Sequence, residues 1–207
     1  MTNNNEQTSN CLGLILAGGQ STRMEGVEKS FIKLGDAPLI ERTINRLKPQ
    51  ISKIIISANS APEKFSKFNL PIIKDTIEGF AGPLAGVLSA MRWAKTNQPT
   101  MKSIITVAVD TPFFPTNYAK KMFTHHQEDM QITIAKSAER NHPVFAIWDV
   151  NLADDLEKFL VDEGNRKVMM FARRYKYFIQ NFDDKSGIDP FFNINTYENL
   201  TQAQAQL

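Results

Sequence analysis

Two glycines, two hydroxyls, an arginine and a lysine follow one another in "LILAGGQSTRMEGVEKSF", and together they have the makings of an anion cradle. Gly18 and Gly19 let the backbone approach an oxyanion closely and turn N–H groups toward it. Ser21 and Thr22 add hydroxyls, Arg23 offers a planar fork for phosphate oxygens, and Lys29 a point charge. Two familiar loop types are excluded by the residues that stand where their glycines belong. A G-x-x-x-x-G-K-[ST] loop would end at Lys29-Ser30, but Glu28 stands where its second glycine is required, and "GGQSTR" is not G-x-G-x-x-G. The plain alternative is a tight turn with solvated charges. Arg23 and Lys29 together favour phosphate.

Asp110 and Asp75 are the carboxylates placed to complement such a loop. Asp110 follows "SIITVAV" and precedes Thr111-Pro112. An aspartate at a strand end often shapes its own turn. It is also the hard oxygen donor that Mg²⁺ takes in ones and twos beside substrate phosphates. Asp75 closes "PIIKD", with a turn or helix cap as its plain reading.

These residues need strands to carry them. "CLGLILAGG" reads as a strand buried on both faces, as parallel sheets require. "PLIERTINRLK" has apolar residues at helical spacing with Pro38 at its start, Ile54 to Ser57 and "LPIIKD" are strands, and "GPLAGVLSAMRWAK" is a helix with Leu84, Val87, Leu88 and Met91 on one stripe. After "SIITVAVD", Pro112 and Pro115 bracket a turn before a helix over "TNYAKKMFTHHQ". The alternation predicts an α/β fold: a three-layer, mostly parallel, Rossmann-like sheet flanked by helices. Ligands of such sheets bind beyond the carboxyl ends of the strands, where Gly18-Gly19, Asp75 and Asp110 all fall.

The second half is more mixed. "MQITIAKS" and "HPVFAIW" read as paired strands, "VNLADDLEKFL" and "NRKVMMFARRY" as helices, "YKYFIQ" as a strand, and "FFNINTYENLTQAQ" as a short segment entering a terminal helix. His125 and His126 read as surface residues of a helix. With neither repeat nor linker, one domain is expected over residues 11–207, in two halves of about 11–115 and 116–207. Residues 1–10 are expected to be a disordered lead.

A net charge of +2 gives no basis for general nucleic-acid binding. The single cysteine, Cys11, forms no intramolecular disulfide and makes a poor zinc site alone. No apolar run reaches the roughly 20 residues of a membrane span, and the N-terminal stretch lacks the features of a secretory signal, so a cytoplasmic protein that neither binds nucleic acid nor enters a membrane is expected.

"LILAGGQSTRM…K" resembles the opening signature of the nucleotidyltransferases. Five further stretches narrow the likeness: "DTIEGFAGPLAGVLSAM", "VAVDTPFFP", "RNHPVFAIW", "EGNRKVMMF" and "FFNINTYENL". In that order the chain, after its first ten residues, resembles the molybdenum cofactor guanylyltransferase family.

The resemblance implies transfer of GMP from GTP to the molybdopterin-bound molybdenum cofactor, with release of pyrophosphate. It implies Mg²⁺ on Asp110, catalytic roles for Arg23, Lys29 and Asp110, and a nucleotide site that includes Leu16, Ala17, Gly18, Gly19, Lys29, Ser57, Asn59, Asp75, Gly82 and Asp110. Asp75 then contacts guanine or ribose. Acceptor contacts fall to Arg140, His142, Arg166, Asn193 and Asn195. Beyond GTP and the molybdopterin acceptor, cofactor-delivery proteins and molybdoenzyme chaperones are possible partners. Departures from the family pattern are Glu25 for a glycine, Glu28 for an aspartate, Ser57 for an asparagine and Tyr197 for a proline. The rival readings are a cytidylyltransferase for the same cofactor, a sugar-phosphate nucleotidyltransferase, and a non-catalytic nucleotide-binding regulator.

Overall fold

A computed structural model describes residues 8–18, 28–77, 82–126, 129–183 and 189–207. Residues 1–7 of the N-terminal lead, and Gly19, Ser21, Thr22, Arg23 and Glu25 of the glycine loop, lie outside the described residues. Strand β1 (Cys11–Leu16) opens the fold. A 3-10 turn (Lys29–Phe31) and a small hairpin of β2 (Lys33–Leu34) and β3 (Ala37–Pro38) lead into helix α1 (Leu39–Leu47). Next come β4 (Lys53–Ser57), β5 (Ile72–Ile73), α2 (Pro83–Asn97), β6 (Ser103–Ala108) and α3 (Tyr118–Phe123). The second half adds β7 (Ile132–Ser137), β8 (Arg140–Asp149), α4 (Ala153–Val161), α5 (Val168–Ala172), β9 (Tyr177–Asn181) and α6 (Tyr197–Gln204).

Among the described residues, seven strands form one sheet in the order β5-β4-β1-β6-β8-β7-β9. β5, β4, β1 and β6 run parallel, β8 is antiparallel to both β6 and β7, and β9 returns parallel to β7. The expected mostly parallel sheet is present, with β8 as the strand that runs against its neighbours.

The sheet is buried on both faces because its central strands are apolar at most positions, with Ser103 and Thr106 of β6 as buried polar exceptions. Along β1, Cys11 and Ile15 enter one core while Leu12, Leu14 and Leu16 enter the other, the period of two that a strand imposes. The first core takes α1, α3 and α6; the second takes α2, α4 and α5. Trp148 is fully buried in the second, and Trp93 packs at its margin. Burial pushes the Cys11 thiol up to about 12, so it behaves as a small core residue.

Two local expectations are corrected. Pro38 caps α1 in extended conformation instead of entering it. His125 and His126 lie past the end of α3, not on it. His125 stacks on Phe178 and bonds Gln180, while His126 Nδ1 bonds Thr133 Oγ1 at 2.9 Å. Burial depresses the His126 pKa to about 4, so this ring is neutral where it packs.

Candidate functional site

Beyond the last paired residues the parallel strands stay stitched together. Ala17 N donates to Ser57 O, Ala58 N to Ile73 O, and Val109 N to Leu16 O, at 2.9, 3.0 and 3.1 Å. These bonds carry the strand order one step further, so Gly18, Asn59, Asp75 and Asp110 emerge side by side along one edge. β5 ends at Ile73 and β6 at Ala108, so both aspartates stand on the turns just beyond their strands, where a carboxylate can face a ligand.

Lys29 is set by its neighbour. Ser30, fully buried, donates to Ala17 O at 3.2 Å, which ties the 3-10 turn to the end of β1. Lys29 Nζ is then 3.1 Å from Asp110 Oδ2 and 2.6 Å from Asn195 Oδ1. Both partners of the ion pair keep about a fifth of their side chain exposed, 19% and 22%, so the pair is reachable by solute. Thr111 Oγ1 lies 3.3 Å from Asp110 Oδ1 and within hydrogen-bond contact of Asn193 Oδ1. Ile194 N donates to Asp110 O at 2.8 Å. Lysine, aspartate and two asparagines, 166 residues apart at the extremes, thus form one polar cluster.

Asp75 has its own setting. Its Oδ2 accepts from Asn59 Nδ2 at 2.7 Å, its backbone N–H donates back to Asn59 Oδ1 at 2.9 Å, and Ser57 Oγ approaches Oδ1 at 3.4 Å. Burial raises the Asp75 pKa, and the bonds from Asn59 and Ser57 only partly offset it. Gly86, in the first turns of α2, sits so close that a Cβ there would lie 2.6 Å from Leu16 Cδ2 and 3.0 Å from Ser57 Oγ. Its bare backbone lets α2 press onto the ends of β1 and β4. Gly82 caps the same helix in an open position ahead of Pro83.

The acceptor candidates divide. Arg140 is exposed at the start of β8, and His142 lies two residues on, buried at 8% exposure. Arg166 stands on the connection from α4 to α5. Asn193 and Asn195 sit against Thr111 and Lys29. Arg174 pairs with Glu163 at the surface. Glu28 turns away from Lys29 and engages Ser60 and Lys64, both at 3.2 Å.

Two groups escaped sequence reasoning. Arg46 of α1 donates to the Phe113 and Phe114 carbonyls, and Gln50 donates to Pro115 O, so α1 grips the turn that follows Asp110. The segment 189–195 runs as a strap: Asp189 meets Ser137, Phe191 packs on His142, Asn193 meets Thr111, and Asn195 meets Lys29. The asparagines at alternating positions in "FFNIN" were the one visible signal of it.

Four parallel strands, one running into glycine, with a carboxylate beyond β5 and another beyond β6 that is paired to a lysine, give the ligand-facing edge of an open α/β sheet. The MobA-like NTP transferase domain model matches residues 13–176. A molybdenum cofactor guanylyltransferase of Mesorhizobium japonicum is 44% identical over 194 residues, covering 92% of this chain and 93% of its own. One of Rhizobium meliloti is 43% identical, covering 94% and 90%. The chain belongs to the MobA-like NTP transferase family. In fold it is similar to the molybdopterin-guanine dinucleotide biosynthesis protein A of Archaeoglobus fulgidus, with a TM-score of 0.76 at 24% identity over 94% of this chain and 97% of that one. A 4-diphosphocytidyl-2C-methyl-D-erythritol synthase of Anaerococcus prevotii shares the fold at a TM-score of 0.71, with 16% identity over 96% of both chains. Among the described residues, no helix is long and apolar enough to cross a membrane.

Proposed function

We propose that this chain transfers GMP from GTP to the phosphate of the molybdopterin-bound molybdenum cofactor, forming the guanine dinucleotide cofactor and releasing pyrophosphate. The observation that carries this reading is the Lys29–Asp110–Asn195 cluster beyond the parallel strands, in a chain 44% identical to a molybdenum cofactor guanylyltransferase.

The acceptor phosphate attacks the α-phosphorus in line. Its oxygens are already ionised near neutral pH, so no protein base is needed, and catalysis rests on positioning and charge stabilisation. The backbone from Leu16 through Gly19 holds the nucleotide. Arg23 and Lys29 neutralise the phosphates and the departing pyrophosphate. Lys29 reaches them by exchanging Asp110 and Asn195 for phosphate oxygens, a short movement for an ammonium with about a fifth of its side chain exposed. Asp75 accepts from the nucleoside. Guanine offers an adjacent N1–H and amino group to one carboxylate, which adenine and cytosine do not.

The site's chemistry fits a divalent cation such as Mg²⁺. Asp110 is a partly exposed hard oxygen donor, and among the described residues no group of three or more His, Cys, Asp or Glu forms a protein-only cage. A lone carboxylate completed by nucleotide phosphates and water is the arrangement Mg²⁺ favours. Bound there, the ion would supply charge neutralisation at the phosphate oxygens.

Purified protein with molybdopterin, Mg²⁺ and each nucleotide in turn is expected to release pyrophosphate from GTP. Release from CTP instead would move the chain to the cytidylyl branch, and GTP binding without release would make it a regulator. Asp110→Asn is expected to keep the fold and lose turnover by about 100-fold or more, the scale of removing one electrostatic contact to the transition state. Near-normal turnover would remove Asp110 from the metal site.

A further inference from the structure

The β7–β8 hairpin and the 189–195 strap together carry a chain of three polar side chains that the mechanism above does not use. Ser137 Oγ donates to Asp189 Oδ1 at 2.7 Å and lies 2.8 Å from His142 Nε2. Ser137 is 1% exposed, so neither contact is shared with bulk water. Asp189 is itself fixed, since the same Oδ1 accepts from Phe191 N at 2.9 Å. The Phe191 ring lies against the imidazole, with centroids 4.6 Å apart and planes 32° apart, and so fixes the ring plane. The hairpin turn is built on Ala138 and Glu139, both in the left-handed region at φ 45° and 61°, and Asp183 Oδ1 accepts from Ala138 N at 2.7 Å to hold it. Positive φ at both loop residues is what a two-residue hairpin turn between paired Ser137 and Arg140 demands.

A serine hydroxyl has one proton and a carboxylate only accepts. With that proton on Asp189, Ser137 Oγ can only accept from His142. The ring is then protonated at Nε2 and carries its lone pair at Nδ1. Among the described residues Nδ1 makes no hydrogen bond to another side chain, and the Ser137 carbonyl lies beside the ring as well as the Ser137 hydroxyl. Arg140, two residues earlier on the same strand, is exposed and unpaired among the described residues.

We propose that Asp189 and Ser137 are positioning residues that fix His142 as an Nδ1 acceptor for a ring N–H of the acceptor substrate, while Arg140 takes an anionic oxygen of the same molecule. The ligand class is a phosphorylated, fused nitrogen heterocycle with an N–H on its edge. This rests on the functional reading above, in which a pterin is the acceptor. The strap links this point to chemistry: the segment that holds Ser137 through Asp189 reaches Asp110 through Ile194, five residues later.

Histidine-selective ¹⁵N labelling reads the tautomer directly. In the wild type His142 is expected as Nε2–H, and Ser137→Ala and Asp189→Ala are expected to give a mixture. In pyrophosphate-release assays Ser137→Ala is expected to raise the KM for molybdopterin about tenfold, the scale of one misdirected hydrogen bond, with GTP affinity unchanged as the control for folding. His142→Asn, whose amide oxygen can take the Nδ1 position, is expected to keep most acceptor affinity, and His142→Leu to lose it. An Nδ1–H tautomer in the wild type, or Ser137→Ala with tautomer and KM both unchanged, overturns the proposal. If the wild type transfers nothing to molybdopterin, the functional reading and the acceptor role fall together, and the spectra still decide whether Asp189 and Ser137 set the tautomer.

Discussion

At the scale of single residues, Asp75 is held against its own solvation. Burial raises its pKa despite two side-chain donors, so the folded protein carries an ionised carboxylate at a cost. The sign follows from linkage. A carboxyl whose folded pKa lies above its unfolded value favours the fold most when protonated, and that contribution is lost as pH rises through the folded pKa. Asp75→Asn removes the charge and keeps the shape, and its amide can still accept from Asn59 and meet Ser57. The variant is therefore expected to melt higher than the wild type at pH 7 to 8. The gap should close as pH falls through the carboxylate range. It is also expected to lose GTP affinity, because an amide no longer offers guanine two acceptors. Parallel melts from pH 4 to 8 with calorimetric GTP titrations check both. A variant that melts lower at pH 8 would show that Asp75 holds the fold more than it serves a ligand.

At the scale of elements, the contact of α2 with β1 and β4 depends on what is missing at Gly86. Alanine there gains about 1 kcal/mol of helix propensity, yet its Cβ would meet Leu16 Cδ2 at 2.6 Å and Ser57 Oγ at 3.0 Å. Overpacking of this kind costs about 1–3 kcal/mol, so Gly86→Ala is expected to be mildly destabilising, with Tm lower by a few degrees. The sharper effect is expected on GTP, because the displaced groups are Leu16 and Ser57 beside the nucleotide strand ends; unchanged Tm and GTP affinity would refute the close-contact reading. The elements themselves were legible from sequence wherever a period was strong. β1, β4, β6, α1 and α2 follow from runs and stripes whose burial the sheet then enforces. The strand ends followed as well, which is why Gly18, Asp75 and Asp110 were read onto one edge. What the sequence hid was long-range pairing. Nothing in "VEKSF" says that Lys29 meets Asn195, or in "SAERNH" that Ser137 meets Asp189, because those contacts are made by topology. Arg46 was hidden for the same reason: on α1 it reads as one more exposed charge, and only the fold brings the Phe113 and Phe114 carbonyls to it.

At the scale of the whole molecule, the strap 189–195 joins the two halves. The four parallel strands carry the glycine loop, Asp75 and Asp110, while β7 and β8 carry Arg140 and His142. β6 and β8 pair through only three registered positions, Ser103 to Ile105, at the end away from the site. At the site end the strap supplies the connection, from Ser137 and His142 through Thr111 and Asp110 to Lys29. Asn195→Ala removes its last link. That bond involves a charged donor but is partly exposed, so its loss is expected to cost about 1 kcal/mol locally, not more. The consequence should be distributed. The amides of Ile194 and Phe191, bonded to Asp110 O and to the Asp189 carboxylate, are expected to exchange with solvent about fivefold faster, while those inside α2 keep their rates. GTP affinity and the acceptor KM should both worsen, whereas Ser137→Ala disturbs the acceptor alone. Hydrogen exchange and steady-state kinetics on the two variants separate these patterns. If Asn195→Ala changes exchange only at its own position and moves GTP affinity without the acceptor KM, the strap is a set of independent contacts, and the two halves are joined through the sheet alone.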